Sequence, residues 1–195
     1  MWSSIEEAIE EIKKGKMVIV VDDEDRENEG DLIMAAEMVS KEAVNFMMTE
    51  GRGLICVPMS EEFADRLELE PMTQKNTEFT KCNFTVSVDH KFETTTGISA
   101  SDRAKTVRAL ASLKSKAEDF ARPGHIFPIR SRKGGTLVRA GHTEAAVDLA
   151  KLAGLNPVGM LCEIIKADGE MARVNDLKEF AKKHGLTEKD MWEAI

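Results

Sequence analysis

Met17-Val18-Ile19-Val20-Val21-Asp22-Asp23-Glu24-Asp25-Arg26-Glu27-Asn28-Glu29-Gly30-Asp31-Leu32-Ile33-Met34-Ala35-Ala36 holds two short apolar runs on either side of a segment with seven carboxylates in ten residues. The first run, residues 17–21, is continuous and rich in β-branched side chains, the pattern of a buried strand. The second, residues 32–36, reads as another strand. If the acidic segment between them is extended, Asp25, Glu27, Glu29 and Asp31 point to one side, because side chains alternate along extended backbone. Four carboxylates on one side repel one another unless a cation or an arginine neutralises them. Magnesium suits such a group, since it takes oxygen ligands, usually only one or two of them carboxylates, and completes its shell with substrate oxygens and water. The spacing does not fit an EF-hand, which needs a fixed series of oxygen ligands ending in a glutamate. Two readings of these ten residues stand, a solvated acidic loop and a metal site; the position directly after a buried strand favours the second.

Outward from this stretch, residues 4–14 carry Ile5, Ala8, Ile9 and Ile12 at helical spacing, with Gly15 as the residue after the helix. Ser40 is expected to cap a helix running through Ala43, Val44, Met47 and Met48 to a stop near Gly51. Leu54-Ile55-Cys56-Val57 reads as a strand ended by Pro58, and Ser60 as the cap of a short helix to Leu67. Residues 70–82 have no clear period and read as a loop. Phe84-Thr85-Val86-Ser87-Val88 alternates as a strand should. Residues 94–101 form a threonine-rich turn into a helix over 102–114. Strands are expected over 126–129 and 136–138, around the Gly134-Gly135 turn, and over 158–165; helices over 143–152 and 175–184. No repeat, linker or change of composition marks a boundary, and the elements lack the regular spacing of a doubly wound fold. The expected architecture is α+β, a single domain over residues 1–195 with a mixed β-sheet and flanking helices.

The bulk properties narrow the function by exclusion. A chain of 195 residues with 42% hydrophobic and 32% charged residues is ordinary for a globular protein. No apolar run approaches the roughly 20 residues that span a bilayer, and residues 1–16 lack the apolar stretch of a signal peptide. Cys56, Cys82 and Cys162 are far apart without CxxC spacing, which suits a reducing compartment and argues against structural zinc. A cytoplasmic protein with no membrane partner is expected. The net charge is −8 and the basic residues are scattered, so the basic footprint that nucleic acids require is missing. An acidic protein can still bind a small phosphorylated molecule if it places a few arginines and backbone N–H groups locally.

Two other segments offer such groups. Arg139-Ala140-Gly141-His142-Thr143-Glu144 leads into the helix expected from Thr143. A helix N-terminus attracts a phosphate, Arg139 can add a bidentate contact, and the Thr143 hydroxyl either joins in or caps the helix. A neutral His142 imidazole could complete a metal site begun by a carboxylate; the plain alternative is an ordinary turn before a helix. Thr94-Thr95-Thr96-Gly97-Ile98-Ser99-Ala100-Ser101-Asp102-Arg103 also sets hydroxyls and a glycine ahead of a helix, although Ser101 could be only its cap. Further on, Arg122-Pro123-Gly124-His125 holds a histidine after a Pro-Gly turn, either a proton carrier or a surface residue. Glu163 interrupts the apolar strand 158–165. Burying a carboxylate without a partner raises its pKa, which is the profile of a general base; a glutamate facing solvent at the strand end is the alternative. Glycine-rich nucleotide-binding motifs of the Walker and Rossmann kinds are absent.

Taken together, D-D-E-D-R-E-N-E-G-D-L, T-T-G-I-S-A-S-D-R, R-P-G-H-I-F-P, R-A-G-H-T-E-A and G-M-L-C-E-I resemble, in that order from Lys16 to Arg173, the 3,4-dihydroxy-2-butanone 4-phosphate synthase family of riboflavin biosynthesis. The resemblance implies a lyase that converts D-ribulose 5-phosphate to L-3,4-dihydroxy-2-butanone 4-phosphate and formate. It implies Mg2+, with Mn2+ as a substitute, and a homodimer with active sites at the subunit interface. It makes Glu27 and His142 the metal ligands, and it sets Arg26 and Asp31 against the sugar with Glu29 nearby. Arg139, Ala140, Gly141, His142 and Thr143 would hold the phosphate, assisted by the turn that contains Thr95 and Ser99. His125 and Glu163 match positions essential for catalysis, with Asp31 and Cys56 also at active-site positions.

The chain departs from the family in two places. Residues 76–83 read Asn76-Thr77-Glu78-Phe79-Thr80-Lys81-Cys82-Asn83, where many members have a loop containing glycine or tyrosine. Residues 184–195 lack the further apolar strand and helix expected at that point. No GTP cyclohydrolase II domain is expected, so the chain reads as monofunctional. Two other functions fit the acidic segment alone: another magnesium-dependent isomerase or aldolase of pentose phosphates, and a non-catalytic metal- or nucleotide-binding module. A binding module would have no use for Arg139, His142, His125 and Glu163 together.

Overall fold

The computed structural model describes residues 4–186 and 191–193. Strands β1 (Val18–Val21) and β2 (Gly30–Ala35) pair antiparallel on either side of the acidic segment, with Val20 opposite Asp31. Every residue of both strands is buried, as continuous apolar strands must be when both faces of their sheet are covered. β3 (Cys56–Met59), β4 (Val88–His90), β5 (Phe120–Arg130), β6 (Gly159–Glu163) and β7 (Met191–Glu193) complete a seven-stranded sheet in the order β4-β5-β3-β6-β2-β1-β7. The β3–β5 and β1–β7 pairs are parallel and the others antiparallel, so the sheet is mixed, as expected.

Alternate residues along β1 and β2 enter two different cores. On one face, Val18, Val20, Ile33 and Ala35 pack with Ala8 and Ile12 of α1 (Ile5–Lys13) and with Ala145, Ala146 and Leu149 of α5 (His142–Leu152). On the other, Ile19, Val21, Leu32 and Met34 meet side chains of α2 (Lys41–Phe46), α4 (Ala100–Ala111) and α6 (Val174–Lys183), among them Val44, Val107, Leu110 and Leu177. Each such valine, leucine, isoleucine or methionine side chain contributes roughly 1.5–3 kcal/mol by leaving water. Serines open four helices: Ser4, Ser40 and Ser99 cap α1, α2 and α4, and Ser60 caps α3 (Glu61–Arg66), each accepting from a backbone N–H of the first turn. No described helix is long and apolar enough to cross a membrane.

Some boundaries differ from the sequence reading, each for a local reason. Pro58 lies inside β3 rather than ending it; β3 meets β6 at Cys56↔Leu161 and at the bridge Met59↔Val158, and the missing N–H of Pro58 falls between them. Residues 84 and 85 make only isolated bridges, and regular pairing of β4 begins at Val88. Residues 135–137 form a 3-10 turn, not a strand. α4 is capped by Ser99, so Ser101 is inside the helix. Pro123 and Gly124 make no chain reversal: they belong to a wide bulge in β5, where Val88 pairs with Ile126 but Asp89 with Ala121. A Cβ on Gly124 would lie 2.0 Å from the carbonyl carbon of Val88, so only glycine permits this approach. Near the C-terminus, where no further strand was expected, β7 pairs parallel to β1; the rest of that expectation falls on residues 187–190 and 194–195, outside the described residues.

Candidate active site

The strand directions bring the chemistry to one edge of the sheet. β2 runs antiparallel to both β1 and β6, and β6 antiparallel to β3. The C-terminal ends of β1 and β6 therefore lie beside the N-terminal ends of β2 and β3. Asp31 is the register partner of Glu163. Period-two alternation places Asp31 on the same face as Ile33, and Glu163 on the face of Leu161, which is the face covered by α5. The first residue of α5 is His142. A cavity of about 260 Å³ opens there, lined by Arg26, Glu27, Glu29, Asp31, Cys56, Arg139, His142, Thr143 and Glu163, together with Glu78, Thr80, Cys82, Phe84, Ile129 and Leu161.

The acidic segment is not extended, so its acids do not line up on one side. The Arg26 and Asn28 N–H groups donate to the Asp23 carbonyl, and Asn28 takes a positive φ of 54°. The organiser of this coil is Asp22, a residue the sequence reading left without a role. Its buried carboxylate accepts from the Arg26 guanidinium at 2.5 Å and from the N–H groups of Glu27 at 3.2 Å and Glu29 at 2.8 Å. Arg26 also reaches Glu27 Oε2 at 2.7 Å. The only sequence signal for Asp22 is its place immediately after a fully buried strand.

Around His142 the charges are dense. Nδ1 lies 3.8 Å from Glu27 Oε2 and 3.7 Å from Asp31 Oδ2, distances of ion pairs rather than hydrogen bonds. Burial opposes a charge on this imidazole, but Asp31, Glu27 and Asp22 outweigh it and raise its pKa to about 9. His142, with Arg26, holds Glu27 down to about 2. Burial pushes Asp31 up to about 7 against the pull of His142, with Glu163, Glu29 and Glu27 adding to the rise. Burial and then Glu27 also raise Glu29. Asp31 therefore has the profile of a buried base that the sequence reading gave to Glu163. Glu163 is partly buried and takes a hydrogen bond from the Leu54 N–H at 2.8 Å. A Cβ on Gly53 would lie 2.5 Å from that carboxylate, which explains the glycine before Leu54. Cys56 lines the cavity with a thiol that burial keeps well above its usual pKa, so it stays protonated in the unliganded site.

The cationic end of the cavity is built on the start of α5. Gly141, not Thr143, holds the cap position, and no side chain caps the helix, so its first N–H groups stay free for an anion. A Cβ on Gly141 would lie 2.4 Å from Arg139 Nη1 and 2.8 Å from Arg26 Nη2, so the two guanidinium groups converge on this glycine. Arg139 is held by Glu144 at 2.7 Å and by the Thr80 hydroxyl at 3.1 Å and carbonyl at 3.3 Å. Glu144 is fully buried and also accepts from the Arg132 N–H. Neither Glu144 nor Thr80 was singled out from the sequence; Glu144 ends the R-A-G-H-T-E run, whereas nothing local marks Thr80, whose role depends on a fold that brings residue 80 to residue 139.

Thr95, Ser99 and His125 do not line this cavity. They gather instead around the bulge of β5. Thr95 donates through its N–H and hydroxyl to Asp102, Ser99 caps α4, and His125 bonds Asp89.

Asp22, Glu27 and His142 offer ligand atoms that all lie within 4.8 Å of one another, and a divalent cation fits this set. His142 Nε2 and Asp31 Oδ1 are buried and, among the described residues, have no hydrogen-bond partner, a cost that a ligand would remove. Asp22 already satisfies three donors of its own loop, which leaves Glu27 and, once its proton is displaced, His142 as the side chains with lone pairs to give.

Known proteins resemble this chain in sequence and in fold. Residues 6–191 match the family described as 3,4-dihydroxy-2-butanone 4-phosphate synthase. The chain is 61% identical over 186 residues to the riboflavin biosynthesis protein RibBA of Endomicrobium trichonymphae, and 60% identical over 187 residues to RibBA of Aquifex aeolicus (strain VF5). Each alignment covers 95% of this chain and 46% of the relative, so the chain spans about half the length of these curated relatives. Among solved structures, a 3,4-dihydroxy-2-butanone 4-phosphate synthase in complex with two magnesium ions matches with a TM-score of 0.94 at 40% identity, over 99% of this chain and 94% of that one. The two-domain synthase RibBX from A. baumannii matches with a TM-score of 0.93 at 48% identity, over 98% of this chain and 56% of that one.

Proposed function

Because the chain belongs to the 3,4-dihydroxy-2-butanone 4-phosphate synthase family, we propose that it converts D-ribulose 5-phosphate to L-3,4-dihydroxy-2-butanone 4-phosphate and formate, a lyase reaction of riboflavin biosynthesis in the cytoplasm. The observation that carries this reading is the convergence of Arg26 and Arg139 on Gly141 at the open start of α5, beside the buried cluster of Glu27, Asp31, His142 and Glu163. One end of the cavity suits a phosphate and the other a polyhydroxylated carbon chain that must lose and regain protons.

Arg139, Gly141 and Thr143 hold the phosphate, with Ala140 supplying backbone, and this fixes the sugar along the cavity. Arg26, Glu29 and Asp31 face its hydroxyls. The reaction begins when a base takes the C3 proton and leaves an enediol. Asp31 and Glu163 sit side by side on neighbouring strands, and Asp31, near neutrality in pKa, can both take and return a proton at the working pH. Loss of the C1 hydroxyl, a skeletal rearrangement and attack of water then release C4 as formate. A magnesium ion held by Glu27 and His142, or Mn2+ in its place, would supply Lewis-acid stabilisation of the developing oxyanion. Cys56, Phe84, Ile129 and Leu161 keep bulk water from this end of the cavity.

His125, Thr95 and Ser99 enter through assembly. Their exclusion from the cavity of their own chain supports a homodimer in which this cluster faces the cavity of a second copy. The test is direct: incubation with D-ribulose 5-phosphate and Mg2+ should release formate, and none should form after chelation. No formate above the chelated control would refute the assignment, and turnover of a different pentose phosphate would move the chain to another sugar-phosphate reaction. Light scattering should give twice the chain mass of 21.6 kDa; a monomer would remove the shared site.

A further inference from the structure

The bulge of β5, the end of β4 and the threonine-rich turn before α4 meet at one carboxylate, that of Asp89. Its Oδ1 accepts from the His125 backbone N–H at 2.9 Å, and its Oδ2 lies 2.6 Å from His125 Nδ1. The two contacts grip both the main chain and the ring of one residue. The Asp89 side chain is only 14% exposed, whereas that of His125 is 44% exposed, so the carboxylate is the fixed member and the imidazole the one that reaches out.

The surroundings are shaped to keep that carboxylate in place. Gly97 takes φ +90°, and a Cβ there would fall 2.1 Å from Asp89 Oδ2. No other residue could close the turn onto the aspartate. The turn is in turn pinned from behind, because Asp102 Oδ2 accepts from the N–H groups of Thr95 and Gly97 and from the Thr95 hydroxyl. From the other side, Gly124 lets the bulge lie directly on the backbone of Val88 and Asp89. Three glycine- or aspartate-dependent contacts thus converge on a residue that does not line the cavity.

We infer that Asp89 is a positioning residue for His125: its carboxylate fixes the ring orientation and the Nδ1–H tautomer, leaving Nε2 as the nitrogen that takes and returns a proton. The chemistry follows from the donor inventory. A carboxylate only accepts, so the neutral imidazole beside it must carry its hydrogen on Nδ1, and its free lone pair is then on Nε2, on the far side of the ring. An asparagine of the same shape can turn its NH2 towards Nδ1, which selects the opposite tautomer and puts the lone pair where no substrate can meet it. This rests on the reading that His125 acts in the reaction, and the test keeps the two apart.

Ribulose 5-phosphate turnover in the full chain with Mg2+ is compared for Asp89→Asn, His125→Ala and the double variant, and the tautomer is read from two-bond proton–nitrogen spectra of histidine-labelled protein. With four histidines in the chain, His125→Ala assigns the signal. The expected result is an Nδ1–H signal for His125 in the unsubstituted protein that is lost in Asp89→Asn. The kcat of Asp89→Asn should fall at least about 100-fold with KM within about threefold, and the double variant should be no slower than His125→Ala alone. Near-native turnover in Asp89→Asn while His125→Ala is inactive overturns the positioning role and leaves the catalytic reading of His125 intact. Native turnover in His125→Ala overturns both. An Nε2–H signal in the unsubstituted protein overturns the inference whether or not any variant folds.

Discussion

The two histidines proposed to take part in the reaction live in opposite surroundings. The His142 side chain is 6% exposed and faces three carboxylates, while that of His125 is 44% exposed and meets one aspartate. A buried imidazole among acids is governed by charge balance: protons or a cation must settle the excess, and its behaviour depends on pH and on metal. An imidazole near the surface has water to solvate it, so what the protein must supply is orientation. The difference explains why one region is built from ionisable groups and the other from a single carboxylate framed by glycines.

The largest effect should come from the acidic region. Glu163→Gln keeps shape and the bond from Leu54 but removes a base, and kcat should fall by about 10³-fold with substrate affinity nearly unchanged; retained turnover would take Glu163 out of the mechanism. Next, His142→Ala should weaken Mg2+-dependent substrate binding at least about tenfold, read by calorimetry, whereas His125→Ala should leave it alone. Equal effects of the two would erase the contrast between the regions. Gly141→Ala is milder. Its Cβ meets only the ends of two long side chains, so the fold survives while both guanidinium groups shift, and KM should rise about tenfold, a cost of about 1.4 kcal/mol. An unchanged KM would place the phosphate elsewhere.

The smallest effect is on stability and pH. Asp31 has its pKa raised from 3.8 to about 7 and His142 from 6.5 to about 9, so the folded chain binds more protons than the unfolded one across both intervals. Glu27, lowered from 4.5 to about 2, acts in the opposite sense but only below 4.5. The metal-free protein should therefore lose stability as pH rises from about 4.5 to about 9. Magnesium must displace these protons, so its increase in Tm should be larger at about pH 8.5 than at about pH 6. A metal effect independent of pH would exclude His142 as a ligand.

Much of the architecture was legible because its causes are local. The apolar run 17–21, the serines at 40 and 60, and the apolar spacing of α1 each report on neighbours within a few residues. The R-A-G-H-T and D-R-E-N-E-G-D runs stood out as clusters of charged and polar side chains for the same reason, and residues of both line the cavity. What failed were inferences about conformation at a distance. Residues 136–138 have strand composition but no strand beside them, and the acids of the loop alternate in sequence but coil in space around Asp22.

Composition, capping chemistry and the order of the motifs thus determined most of the elements, the α+β class and the family. Only the tertiary structure decided how the seven acidic residues of this segment divide their work. Asp22 became the loop's own anchor, Glu27 the partner of His142, and Asp31 a carboxyl near neutrality opposite Glu163. None of this is encoded in spacing, because a carboxylate's pKa depends on how much water and charge surround it. Those surroundings come from strand ends, a helix start and a turn that are up to 141 residues apart in the chain and meet at one edge of the sheet.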